Sequence, residues 1–288
     1  DEGGTSYIYQ GKRTSAIPES HERWYPKSND NTAIVKIAKV ESEITNPNAL
    51  RYLASHPHSL MHEAKVLRQI SSDYVAKVSH AGIFHAREYE VFEYADTQLG
   101  GTRNLEVVLG EGKKLFDDHD VQIEANRRRC RRTFELYYVR DWIRDVLDGL
   151  HAVHAAGFIH RDLKPDNVLM IESSHFCSEK REWVRNARSL MVSDLQAAVL
   201  LGQNGAYHGH SYGSANYSSP EQIRNAHKNK VLEPLTPASD IYAVGLIMAR
   251  MINPRIIVDS FPTIDDRLDE KRFSARIHAL VAQVPREY

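Results

Sequence analysis

Twelve consecutive residues concentrate the reactive side chains of this chain: Phe158-Ile159-His160-Arg161-Asp162-Leu163-Lys164-Pro165-Asp166-Asn167-Val168-Leu169. An apolar pair leads in, a dense polar run follows, and an apolar pair leads out. The flanking pairs read as buried strand ends, and Pro165 forbids helix through the middle. The polar residues are therefore expected on a loop pinned at both ends by core, a usual setting for catalytic groups. Asp162 and Asn167 are five apart, with Lys164 between them. A carboxylate, an amide oxygen and an ammonium on a rigid loop suit a base, a metal ligand and a phosphate clamp.

The totals bound what such a loop can belong to. The chain has 288 residues, 42% hydrophobic and 26% charged, enough for one large domain or two modest ones around a sizeable core. With 37 basic and 38 acidic side chains the net charge is -1, so no charge excess points to nucleic acid or membrane. Two cysteines, Cys130 and Cys177, are too few for a disulfide framework and fit a reduced, cytoplasmic setting. No apolar run approaches the ~18 residues of a membrane-spanning helix. Asp1-Glu2-Gly3-Gly4 is not a signal peptide. The missing initiator methionine is read as a sign of an excised or processed piece, and a larger multidomain protein is one such source.

The elements that must hold the loop follow from periodicity. Tyr7-Ile8-Tyr9 and Thr32 to Val40 read as strands, and residues 13–31 between them as an inserted loop with Pro18 and Pro26. Ser59 to Ile70 has a helical stripe of Leu60, Ala64, Leu67 and Ile70. Tyr74 to Val78, Ala81 to His85 and Glu90 to Tyr94 read as short strands, and Leu105 to Leu109 as a short helix. Phe134 to Ala156 is the clearest helix, with Ile143, Val146, Leu150 and Val153 on one face and Gly157 at its C-terminal cap. Residues 172–189 read as a polar insertion between the short strands Val168–Ile171 and Leu190–Val192. Thr236 and Pro237 start a helix whose run from Ile241 to Ile252 is expected to be buried on all sides. Ser274 to Val284 is a last amphipathic helix.

His160 to Asn167 resembles the catalytic loop of protein kinases, H-R-D-L-x-x-x-N. The resemblance runs from Gly3 to at least Ile252 and implies the bilobal α+β protein-kinase fold. A β-rich small lobe would span 1–92, a hinge 93–95, and a mainly helical large lobe, abbreviated or cut, 96–288, with ATP in the cleft. The family's glycine-rich loop falls on Asp1 to Ile8, where only Gly3 keeps a family glycine. Gly4, Thr5 and Ser6 would offer backbone amides to phosphate, and Ile8 would cover the nucleotide. Lys36 in Ala33-Ile34-Val35-Lys36 resembles the phosphate-binding lysine, with Lys39 on the same strand as the rival. Glu63 resembles the glutamate that pairs with it. Phe92 resembles the gatekeeper, and Glu93 and Ala95 the hinge groups that bind adenine, with Leu169 also at the nucleotide.

In the same way, Asp162 would take the proton of a substrate hydroxyl, Lys164 would offset phosphate charge, and Asn167 and Asp194 would hold Mg²⁺. Lys164 two residues after Asp162 resembles the serine/threonine pattern. Asp194-Leu195-Gln196 resembles the metal-binding D-F-G, with Gln196 replacing glycine and so removing easy access to positive φ. Gly213 to Glu221 resembles G-T-x-x-Y-x-A-P-E, and Ser219-Pro220-Glu221-Gln222 looks like bacterial serine/threonine kinases. Arg161 would receive a phosphate in the intervening segment, at Ser211, Tyr212 or Ser214. Asp240 would anchor the catalytic loop, and Arg286 would pair with Glu221. The resemblance thus implies a transferase using ATP and Mg²⁺ to phosphorylate serine or threonine of protein substrates, itself included. The alternatives are a pseudokinase that binds nucleotide without transfer, favoured by the missing glycines and Gln196, and a small-molecule kinase, disfavoured by Ser219-Pro220-Glu221. The histidines His56, His58, His62, His208 and His210 lack a third ligand at metal-site spacing. Arg127 to Arg132 reads as a solvated insertion or a helix start.

Overall fold

β-branched and aromatic residues make the strands among the described residues, and apolar stripes make the longer helices. The computed structural model describes residues 6–12, 32–39, 60–85, 87–92, 103–109, 127–177, 182–202, 216–228, 233–252 and 261–282. The principal elements begin with β1 (Ser6–Lys12), β2 (Thr32–Ala38), α1 (Leu60–Leu67), β3 (Val78–Phe84) and β4 (Arg87–Phe92). Then come α2 (residues 105–109), α3 (Arg127–Ala155), β5 (Phe158–Ile159), β6 (Val168–Cys177), β7 (Glu182–Val192) and β8 (Val199–Leu200). The chain ends with α4 (Pro220–Lys228), α5 (Pro237–Ile252), α6 (Ile264–Leu268) and α7 (Glu270–Val281). Two compact units result: Asp1–Arg103 with Leu169–Gln196, and Asn104–Val168 with Ala197–Tyr288.

In the first unit a sheet is ordered β1-β2-β4-β3, every pair antiparallel. Its register sets Ile8 opposite Lys36, and Lys36 opposite Glu90. Residues directly opposite one another project from the same face, so Lys36 and Glu90 share a side of the sheet. Between Val78 and His80 the register slips, and the Ser79 hydroxyl donates to the Val91 carbonyl at 3.0 Å. Of the two short strands expected at 74–78 and 81–85, the second is corrected to a strand that reaches back through a bulge to Val78, and the first to a turn with one isolated bridge at Val75. The polar Ser79-His80 step marks an extra residue rather than an end. Upstream, Val75 makes a single parallel bridge to Val192, with Ala76 N–H on the Val192 carbonyl at 2.9 Å and Val192 N–H on that of Tyr74 at 2.8 Å. The insertion expected over 172–189 is likewise corrected: residues 172–177 extend β6 and residues 182–189 extend β7, its neighbour in a second sheet. Phe176, Trp183 and Val184 are strand formers within the polar run, and they prevail over its composition.

The second unit is built on α3 and α5, which pack together. Val146, Leu150 and Val153 on α3 are buried, as are Leu246 and Ile247 on α5. Gly157 closes α3 at φ 84°, its N–H bonded to the His154 carbonyl at 2.9 Å, a left-handed cap that glycine adopts without penalty. The basic run Arg127–Arg132 forms the first turns of α3, which therefore starts earlier than expected. At α5 the Thr236 hydroxyl accepts from Ala238 N–H at 3.3 Å, with Pro237 at the first helical position. The expectation that α5 is buried all round is corrected: Ile241 is 46% and Met248 41% exposed, and Gly245 between them is also exposed. These positions are four and three apart, hence one face, which an unbroken apolar run cannot reveal. Reciprocal bonds between Thr263 and Asp266 cap α6, and Asp269 caps α7, which also starts earlier than expected. No helix among the described residues is long and apolar enough to cross a membrane.

Leu150, 1% exposed, sits at the centre of the α3 stripe. Leu150→Ala should cost about 3 kcal/mol through lost burial and the cavity left behind. Thermal denaturation should register this as a lower Tm with unchanged far-UV circular dichroism at room temperature.

Candidate active site

In the first unit, three elements converge on one ammonium. Lys36 Nζ on β2 lies 2.8 Å from Glu63 Oε2 on α1 and 2.9 Å from Asp194 Oδ1, two residues past β7. Of the two lysines weighed from the sequence, it is Lys36 that meets Glu63. Glu63 is fully buried, and its other oxygen accepts Leu195 N–H at 3.1 Å. Burial alone would lower the lysine's pKa; Asp194 and Glu63 outweigh it and hold the ammonium well above its usual range. Asp194 is placed by the bridge at Val192 and adopts φ 61°. Gln196 lies in the short turn Leu195–Ala197 and is not among the positive-φ residues, so glycine's freedom is not needed there in this conformation. Phe92 ends β4, Leu169 is half-buried in β6, and Ser6 starts β1 with its hydroxyl buried and without a hydrogen-bond partner.

Sequence reasoning missed a fourth charged group here. Glu90 on β4 is 0% exposed, and neither of its carboxylate oxygens accepts a hydrogen bond from a described donor. Burial, and then the neighbouring Glu63 carboxylate, push its pKa up to about 10. The period-two alternation of Arg87 to Phe92 was the available signal: it puts Glu90 on the face of its partner Lys36.

In the second unit the loop from His160 to Asn167 is held from beneath. Asp240, in the first turn of α5 and 1% exposed, accepts the N–H of His160 and of Arg161, each at 2.9 Å. The His154 ring lies 2.8 Å from the same carboxylate. Arg161 is buried at φ 71°, with its carbonyl accepting from the Gln222 side chain at 2.8 Å. Gln222 in turn forms a capping box with Ser219 at the start of α4, accepting Ser219 N–H at 2.9 Å, with Pro220 at the first helical position. Above this base, Asp162 Oδ2 accepts from Lys164 Nζ at 2.9 Å and from Asn167 Nδ2 at 3.2 Å. Asn167 Nδ2 also donates to the Asp162 carbonyl at 2.8 Å, which turns the amide oxygen away from Asp162. Lys164 and Asp162 side chains are 20% and 15% exposed, within reach of a reactant.

A second cluster in this unit also escaped sequence reasoning. Arg250 on α5 grips Glu106 on α2 with both terminal nitrogens, at 2.5 and 2.8 Å, and donates to the Tyr217 hydroxyl at 2.6 Å. Burial raises the Tyr217 phenol to about 12, with Arg250 working the other way. Glu221 accepts from Ser239 at 2.5 Å. Its expected partner Arg286 lies outside the described residues, as do Gly3, Gly4, Thr5, Glu93, Ala95, Ser211, Tyr212, Ser214, His56, His58, His208 and His210. Among the described residues no group of three or more metal-ligating side chains is gathered.

Asp240→Ala should leave two buried amides unpaired at ~1–3 kcal/mol each. Denaturant titration should show a loss of roughly 3–5 kcal/mol, with Asp240→Asn intermediate because its amide oxygen still accepts.

The model of the protein kinase domain family matches residues 23–280. A probable serine/threonine-protein kinase, PknB of Lactococcus lactis, is 23% identical over 280 residues, 97% of this chain and 34% of that protein. The eukaryotic translation initiation factor 2-alpha kinase pek-1 of Caenorhabditis elegans is 27% identical over 63% of this chain and 15% of its own length. Serine/threonine-protein kinase PknL of Mycobacterium tuberculosis is 33% identical over 38% of this chain and 23% of its own. The chain therefore spans about a third or less of these relatives.

Proposed function

Since the chain belongs to the protein kinase domain family, with its bilobal α+β fold, we propose that it transfers the γ-phosphate of ATP to serine and threonine hydroxyls of proteins. The observation that carries this reading is Asp162, a partly exposed carboxylate with Lys164 Nζ at 2.9 Å and Asn167 at 3.2 Å. Asp162 takes the proton of the substrate hydroxyl as its oxygen bonds to the γ-phosphorus and the bond to ADP breaks. Lys164 offsets charge on the phosphoryl group in transit. In the first unit, Lys36 binds the α- and β-phosphates, and Glu63 fixes the lysine's position. Ser6 and Ile8 with Gly3, Gly4 and Thr5 cover the phosphates, and Phe92, Glu93, Ala95 and Leu169 receive the adenine.

The family uses ATP with Mg²⁺. Asp194 and Asn167 offer a carboxylate and an amide oxygen, hard donors of the kind Mg²⁺ takes, and Asp194 is 33% exposed. By the family's pattern each would be a ligand of the metal, which would supply charge neutralisation on the phosphates. Gln196 supports transfer rather than mere binding, because the positive φ of this segment falls on Asp194 and not on the substituted position. The relatives named as serine/threonine kinases support the choice of hydroxyl, as does Lys164 beside Asp162.

Incubation with Mg²⁺-ATP and a protein mixture, followed by phosphosite mapping, should yield phosphoserine and phosphothreonine, on substrates and on the chain itself. Asp162→Asn should lower transfer by at least ~10³-fold while its Tm rise with Mg²⁺-ATP persists. Full activity in that variant would remove Asp162 as the base, and phosphotyrosine as the sole product would overturn the specificity.

A further inference from the structure

The Lys36 cluster holds more negative charge than its contacts explain. Three carboxylates, Glu63, Asp194 and Glu90, face one lysine. Were all ionised, the cluster would carry two net negative charges in a setting where Glu63 and Glu90 are 0% exposed. Two carboxylates sharing a buried site do not both ionise. The hydrogen bonds identify the one that stays charged. Glu63 receives a donor on each oxygen, Lys36 Nζ on Oε2 at 2.8 Å and Leu195 N–H on Oε1 at 3.1 Å. Glu90 receives none on either oxygen. An ionised, unpaired carboxylate at that depth would cost several kcal/mol, whereas a carboxylic acid brings its own donor.

Among the described residues, three charged groups act on Glu90. From β2 comes Lys36, its direct cross-strand partner. From α1 comes Glu63, and from the segment after β7 comes Asp194, the most weakly felt of the three. The opposing residue on β3 is Ala81, which carries no charge. Of these groups Glu63 is the acceptor that acts most strongly on Glu90.

We propose that Glu90 is a protonated carboxylic acid in the folded protein and donates its hydrogen to the Glu63 carboxylate, bracing that residue from behind as it grips Lys36. Glu90 is then a positioning residue, acting on the nucleotide-anchoring lysine through Glu63. A glutamate on a core strand, which sequence alone files as misplaced, becomes the third hydrogen bond of the one carboxylate that must not swing away. The state is also consistent with Lys36 staying charged. The acid adds no further anion, and the lysine keeps two close counter-charges.

The assignment is tested by stability as a function of pH, which needs no nucleotide and no turnover. It therefore stands or falls independently of the phosphoryl-transfer reading. Between the ordinary value of 4.5 and about 10 the folded chain would hold a proton at Glu90 that the unfolded chain has released. Stability from this group accordingly declines as pH rises through that window. Glu90→Gln keeps the shape and a donor but cannot lose a proton. Its Tm relative to wild type should therefore climb with pH, by several degrees between roughly pH 5.5 and 8.5. Glu90→Leu, which also cannot titrate, should show the same climb from a different starting offset. In a Glu63→Gln background the climb should shrink, because the neighbouring charge is gone, yet persist through burial. A Tm difference that stays flat with pH in both Glu90 variants would overturn the proton assignment. A climb unaltered by Glu63→Gln would overturn Glu63 as the partner.

Discussion

One buried carboxylate sets the shape of the reactive loop. Asp240 accepts two successive backbone N–H groups, those of His160 and Arg161. Successive amides can point at one anion only if the chain turns sharply between them, and Arg161 does so at φ 71°. For a non-glycine residue the left-handed conformation costs roughly 1–2 kcal/mol. Two hydrogen bonds to a charged acceptor, at ~1.5–3 kcal/mol each, offset it. Asp240 also lies in the first turn of α5, where the helix end favours negative charge. The anchoring of α5 by α3 and the strain in the loop are thus parts of one arrangement, and Gln222 completes it by holding the Arg161 carbonyl.

Much of this was legible beforehand, for physical reasons that differ by element. The loop announced itself because Pro165 and the apolar pairs around it leave few alternatives. Helix α3 was legible through Val146, Leu150 and Val153, and its end through Gly157, since a left-handed cap is one of the few conformations that names its residue. Lys36 and Glu63 were legible only through resemblance, and their 2.8 Å contact depends on β2 and α1 meeting in space. What stayed hidden needed three-dimensional information. The bulge at Ser79 mimics a break, because one extra residue and a chain turn look alike in alternation. The exposed face of α5 is apolar like its buried faces, so no pattern marks it. The family to which the chain belongs and its α+β fold were read correctly from the loop outward.

Hidden pairings share a feature: they join residues of types that sequence reasoning assigns to the surface. Arg250, Glu106 and Tyr217 are 33 or more positions apart, and each alone is unremarkable for its element. Together they form a cluster, with Arg250 and Tyr217 buried and Glu106 half-exposed, in which a bidentate guanidinium satisfies a carboxylate and a phenol. Nearer the surface, Arg224 and Asn225 bond Glu233, its side chain at 2.6 and 2.7 Å and its backbone at 2.8 and 3.1 Å. Loss of a partner is costly for the buried members Arg250, Tyr217 and Asn225, and much less so for the Arg224–Glu233 ion pair, whose side chains are 35% and 44% exposed.

The left-handed backbone at Asp194 has a consequence for which amino acids that position can accept. Glycine, asparagine and aspartate visit this conformation with the least strain. Only one of them is anionic. Glutamate has the charge but not the backbone tolerance, and its extra methylene would carry the carboxylate past the position that makes the 2.9 Å contact. Two independent filters, one steric and one electrostatic, therefore leave a single letter of the alphabet. By the same logic asparagine is the substitution that isolates charge from conformation, whereas alanine alters both at once.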